Sequence, residues 1–150
     1  MFYSVSDKLP DTVCRGYSRI FPMFGKAVQY VRPDVCMCGG ITGAKKIAAI
    51  AEANEAMVVP HNPLWPVSTA ACIQIAACIP NFALQEYPGE NKPPKSEIVK
   101  NTVECHDGFI TIPDAPGIGV ELVEESKEKY PYYRRPIQTR LHKDGAVFDQ

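Results

Sequence analysis

The sequence predicts an α/β fold in which short buried strands alternate with helices, and three observations predict it. β-Prone runs at residues 28–31, 57–60 and 82–85 are each followed closely by proline or a polar residue. Between them lie two segments, 44–56 and 68–78, whose composition is helical. A single polar residue stands just past each strand: Asp34, then His61 after 27 residues, then Glu86 after another 25.

Residues 1–27 carry no period. Asp7, Pro10, Asp11, Gly16, Pro22 and Gly25 interrupt it, so this stretch is read as loop with at most one short strand. The Val28–Val31 run is stopped by Pro33, and Gly39-Gly40 turns the chain. Thr42 is the expected N-cap of the first helix. There Ile47, Ile50, Ala51 and Asn54 form one face, and Lys45, Lys46, Glu52 and Glu55 the other. Met57-Val58-Val59-Pro60 is the second strand, and Pro63 and Pro66 punctuate the loop behind His61. Ser68 or Thr69 is expected to cap the second, nearly all-apolar helix, which Pro80 ends. After the third strand the chain becomes polar and proline-rich (Pro88, Glu90, Lys92, Pro93, Pro94, Lys95), and this is read as a surface connection. Residues 109–112 and 118–122 read as extended, 124–129 as one or two helical turns, and the tail from Tyr130 as draped over another part of the protein.

The bulk numbers exclude several classes. A length of 150 residues suffices for one core. A formal net charge of −1 gives no electrostatic reason to expect nucleic acid or an anionic membrane as partner. No run approaches the ~18 apolar residues of a membrane span, and no basic flank leads into an apolar run at the start, so the cytoplasm is the expected location. Cys14, Cys36, Cys38, Cys72, Cys78 and Cys105 are expected as free thiols, with Cys36, Cys72 and Cys78 inside apolar stretches. Cys36-Met37-Cys38 is not a zinc spacing, and no second pair completes a tetrahedral set.

A (β/α)₈ barrel of ~250 residues repeats about every 30, with its chemistry at the carboxyl ends of its strands. Asp34, His61 and Glu86 recur at that period and at those ends. Spacing alone leaves alternatives open. His61 is an acid/base or a hydrogen-bonded loop residue, Asp34 its partner or a cap on the Gly39-Gly40 turn, Glu86 a site carboxylate or a solvated strand end. His106 and His142 have no partner pattern.

The residues also carry a family resemblance. Arg32-Pro33-Asp34-Val35 with Gly39-Gly40-Ile41-Thr42-Gly43-Ala44-Lys45-Lys46 resembles the sixth barrel strand and following turn of the mandelate racemase branch of the enolase superfamily. Val59-Pro60-His61-Asn62-Pro63-Leu64 resembles the seventh strand, and Asn81-Phe82-Ala83-Leu84-Gln85-Glu86 the eighth. Residues 108–113 and 116–121 resemble the segment that returns to a capping domain. The loop after His61 and the strand before Glu86 look most like galactonate dehydratases.

The resemblance implies three parts: the irregular stretch 1–27, a partial barrel of three βα units at 28–88, and a capping-associated segment at 89–150. It implies a lyase that removes a proton next to the carboxylate of an acid sugar and expels water. His61 would be the acid/base, Asp34 the partner fixing its tautomer, and Glu86 a group bonded to the substrate carboxylate. It also implies Mg²⁺ and a homo-oligomer for the parent enzyme. The family's three metal-binding carboxylates and its lysine base lie upstream of the matched region, and residues 1–27 hold no acidic set at βα spacing; Arg19-Ile20-Phe21 is at most a remnant of the approach to strand six. The expectation is therefore an incomplete barrel, no metal bound by this chain, and no activity from the chain alone. A non-catalytic binding or assembly module, or a racemase or epimerase, are the alternative readings.

Overall fold

A computed structural model describes residues 28–134. The expectations for residues 1–27, including Cys14, and for His142 and the rest of the tail lie outside the described residues.

β1 (Tyr30–Val31) pairs in parallel with β2 (Met57–Val58), Tyr30 opposite Met57 and Val31 opposite Val58. The same register continues to the bridge between Asp34 and His61. Backbone N–H groups of Met57, Val59 and His61 donate to the carbonyls of Gln29, Val31 and Pro33. On its other side β2 bridges Phe82, also in parallel, through Val58 N–H to Asn81 O and Ala83 N–H to Val58 O. The next donor toward that third segment would be residue 60, a proline without an N–H, so the ladder stops there.

Parallel neighbours need crossovers, and two helices supply them. α1 (Gly40–Ala53) buries Gly43, Ala44, Ile47, Ala48 and Ala51. It begins four residues before the expected start and is not capped by Thr42; Gly39, at φ 96°, occupies the N-cap without a side-chain bond. A left-handed residue there is cheap only for glycine, and it starts the helix directly from the turn after Asp34. Ile50 and Asn54 lie at the margin of the buried stripe, not at its centre. α1 ends in a Schellman motif: Glu55 N–H donates to Glu52 O and Ala56 N–H to Ala51 O, with Glu55 left-handed at φ 61°.

α2 (Pro66–Cys78) also starts earlier than expected, with Pro66 in its first turn and Trp65 at the N-cap. Pro fits there because that N–H would be orphaned anyway. Neither Ser68 nor Thr69 caps the helix, and the Thr69 hydroxyl is used elsewhere.

Val31, Val35, Ala44, Ile47, Ala48, Ala51, Val58, Cys72 and Ile75 close the main core between strands and helices. Buried Asn81 crosses it, its Nδ2 donating to Ala48 O and Ala56 O. Beyond Glu86 come α3 (Lys95–Ile98) and β3 (Val99–Lys100), then the hairpin β4 (Cys105–His106) and β5 (Phe109–Ile110). β6 (Glu121–Leu122) pairs antiparallel with β3, and α4 (Ser126–Lys129) follows. A second apolar cluster joins this part to α2: Ala70 and Ile73 pack with Val103, Ile110, Ile118 and Val120. No helix among the described residues is long and apolar enough to cross a membrane.

The described cysteines are all free, but two are not buried as expected: Cys36 and Cys78 are exposed, while Cys38 and Cys72 are buried. Cys36 sits in the tight turn after Asp34, and Cys78 at the last turn of α2, so neither faces the core. Burial pushes the Cys72 thiol up to about 12. Among these four, a soluble alkylating reagent should label Cys36 and Cys78 in the folded chain and reach Cys38 and Cys72 only after denaturation. Mass mapping of the labelled peptides checks this.

Candidate active site

The register of β1 against β2 builds the first half of the site. Paired residues in a parallel ladder project to the same face, and Asp34 and His61 are such a pair. Their 27-residue separation is the offset that joins Tyr30 to Met57. Val31 and Val58 face the helices, so alternation turns Arg32, Asp34 and His61 to the opposite face.

Asp34 is 3% exposed, and its two oxygens are divided between two tasks. Oδ1 accepts from Cys36 N–H at 2.8 Å, and Oδ2 meets His61 Nδ1 at 3.2 Å. The backbone carbonyl of Asp34 also accepts from Met37 and Cys38 N–H. The aspartate thus caps the turn at residues 36–38, ahead of Gly39-Gly40, and also contacts His61. With Nδ1 turned to a carboxylate, Nδ1 carries the hydrogen and Nε2 is the nitrogen left to exchange a proton. The His61 side chain is 24% exposed and reachable.

Glu86 enters from the third segment. The bridge of Val58 to Phe82 has an offset of 24, which places Glu86 beside Asn62 and not beside His61. Its Oε2 accepts from Arg32 Nη2 at 3.0 Å and from Asn62 N–H at 2.8 Å. Asn62 Nδ2 donates to the Glu86 carbonyl at 3.2 Å and to Thr69 Oγ1 at 2.7 Å. Thr69 in turn donates to Glu90 Oε1. Asn62, Thr69 and Glu90 are all fully buried. The surface connection expected after Tyr87 therefore carries one wholly buried acid, and burial raises the pKa of Glu90 against the lowering pull of Thr69 and Lys95.

The structure brings Asp34 and His61 into contact and sets Glu86 one backbone neighbour away, on Asn62. Arg32, Asn62, Thr69 and Glu90 are the polar participants that sequence reasoning did not assign. Arg32 carried a signal, since it lies two residues before Asp34 and strand alternation puts both on one face. His106 instead pairs with Glu104 on the exposed hairpin.

The comparisons with known proteins fit this geometry. A family model, enolase C-terminal domain-like, matches residues 19–126. The chain belongs to that family. Its enolase-superfamily relatives include a D-galactonate dehydratase of Xanthomonas axonopodis pv. citri, 37% identical over 127 residues, covering 78% of this chain and 33% of the relative. A D-galactonate dehydratase family member of Streptomyces bingchenggensis is 34% identical, covering 81% of this chain and 30% of the relative. Among solved structures, an enolase from Pantoea ananatis with bound D-gluconate and Mg superposes with a TM-score of 0.69 at 31% identity. That superposition covers 74% of this chain and 27% of the other. The chain spans about a third of the length of the curated relatives it matches.

No group of three or more His, Cys, Asp or Glu side chains that could hold a metal ion occurs among the described residues. Among the described residues, Asp34 is bonded to Cys36 and His61, and Glu86 Oε2 to Arg32 and Asn62.

Proposed function

We propose that this chain supplies the proton-transfer half of an acid-sugar dehydratase of the galactonate type. The observation that carries the reading is the Asp34–His61 pair, set by strand register at the carboxyl end of β2, with Glu86 anchored beside it. In this reading β1, β2 and the Phe82 segment are strands six to eight of a (β/α)₈ barrel, and residues 89–150 join a capping domain.

The chemistry is removal of a proton from the carbon next to a carboxylate, followed by loss of the neighbouring hydroxyl as water. His61 Nε2 takes or returns a proton while Nδ1 stays on Asp34, which keeps the imidazole in one tautomer. Glu86 is held by Oε2, so any proton on its carboxyl sits on Oε1, the oxygen left to bond a substrate carboxylate as charge develops there. Mg²⁺ would neutralise the enediolate in the whole enzyme. Residues 28–134 hold no set of ligands for it, so its carboxylates come from sequence outside them, and these residues alone do not dehydrate sugar acids.

A chimaera tests this. Residues 28–150 replace the matching segment of the Xanthomonas D-galactonate dehydratase, and the chimaera and the isolated 150-residue chain are assayed on D-galactonate, D-gluconate and D-mannonate with Mg²⁺. The expected result is a 2-keto-3-deoxy acid from the chimaera and none from the isolated chain. Exchange of the proton without water loss would point to a racemase or epimerase instead, and a folded but inert chimaera would favour a non-catalytic assembly module.

A further inference from the structure

Glu90 has no part in the chemistry above, yet it is the most completely enclosed acid among the described residues, at 0% exposure. Among the described residues no cation bonds it directly. Its Oε1 accepts from Thr69, and its Oε2 is buried without a partner. From Thr69 the hydrogen bonds run through Asn62 Nδ2, and Asn62 reaches Glu86 twice, by side chain to the carbonyl and by backbone to the carboxylate. The chain of contacts joins three separate pieces of sequence: the proline-rich connection, the first turns of α2, and the loop carrying His61.

We propose that Glu90 is a positioning residue which, through Thr69 and Asn62, fixes the loop carrying His61 against Glu86. The proposal rests on the functional reading only in naming the site it serves; the coupling itself is independent of activity. Burial without an ion-pair partner favours the neutral carboxyl, while the hydrogen bond donated by Thr69 favours the ionised one. Around Glu90 the other titratable groups are the Tyr87 phenol, whose pKa burial raises, and Lys95, whose Nζ bonds Gly89 O and whose charge pulls Glu90 downward. Ionisation of Glu90 would strengthen its grip on the Thr69 hydroxyl and polarise the Asn62 amide behind it.

The test follows the Asn62 side-chain amide by ¹H–¹⁵N NMR in the 150-residue chain as pH rises from about 4 to about 8, a range that spans the ordinary carboxyl value and the raised one. The expected result is a transition of that amide with a midpoint above the ordinary glutamate value of 4.5. In Glu90→Gln, which copies the neutral acid, the fold should persist and that transition should disappear. In Thr69→Val it should disappear as well, although Glu90 still titrates. Absence of the transition in the wild-type chain, its persistence in either variant, or loss of the fold in Glu90→Gln would each overturn the proposal. None of these outcomes depends on whether the chain takes part in dehydration.

Discussion

Replacing His61 by Asn in the dehydratase chimaera is expected to lower kcat on the order of 10³-fold while leaving KM within a few-fold. Asparagine can still offer an amide N–H to Asp34 Oδ2, so the turn that Asp34 caps through Cys36 stays in place. What disappears is Nε2, the atom that carries the proton. A group needed only when the proton moves affects the transition state and not the bound substrate, which is why the loss falls on kcat. Steady-state kinetics of the two proteins checks this, and an unchanged kcat would remove His61 from the mechanism.

The second large effect concerns stability. Gly43→Ala is expected to destabilise the chain by about 3 kcal/mol, read by urea unfolding. A β-carbon at Gly43 would stand 2.0 Å from the carbonyl oxygen of Cys38 and 2.9 Å from its carbonyl carbon. Those are backbone atoms, so no side-chain rotation relieves the overlap. Cys38 is held by its N–H to Asp34 O, and Gly40 by its N–H to Val35 O, so the turn moves as a unit or α1 moves away from it. A shift of the turn displaces Asp34 from His61. About 3 kcal/mol is a large share of the ~5–15 kcal/mol by which domains are stable. A midpoint within ~0.5 kcal/mol of wild type would show that the turn is softer than this packing implies.

These two residues also show which parts of the site the sequence made legible. Asp34 and His61 were readable because parallel register and sequence spacing are the same quantity here: 27 residues separate every matched pair across β1 and β2. Glu86 was readable as a strand-end acid but not in its placement. The third segment runs at an offset of 24, and a change in offset moves a residue to a new neighbour, here Asn62. Helix starts were misplaced where backbone geometry, not a hydroxyl, sets them: Gly39 for α1 and Pro66 for α2. Thr69 looked like a cap because its hydroxyl is the right kind of group, but Glu90, 21 residues onward, takes that hydroxyl.

Glu90 itself was hidden by its surroundings, since a polar, proline-rich segment gives no local sign that one of its acids is enclosed. The β4–β5 hairpin was missed although its turn, Asp107-Gly108, is a strong signal: both residues are left-handed, at φ 50° and 83°. The strands beside it are only two residues each, too short to show alternation.

The proton itself gives the most direct test of the account. The chimaera is given D-galactonate carrying deuterium on the carbon next to the carboxylate, and product and solvent are followed by NMR. The account predicts that the deuterium is released to solvent as the 2-keto-3-deoxy acid forms, and that His61→Asn stops both together. A product that retains the deuterium, or release that continues undiminished without His61, would contradict it.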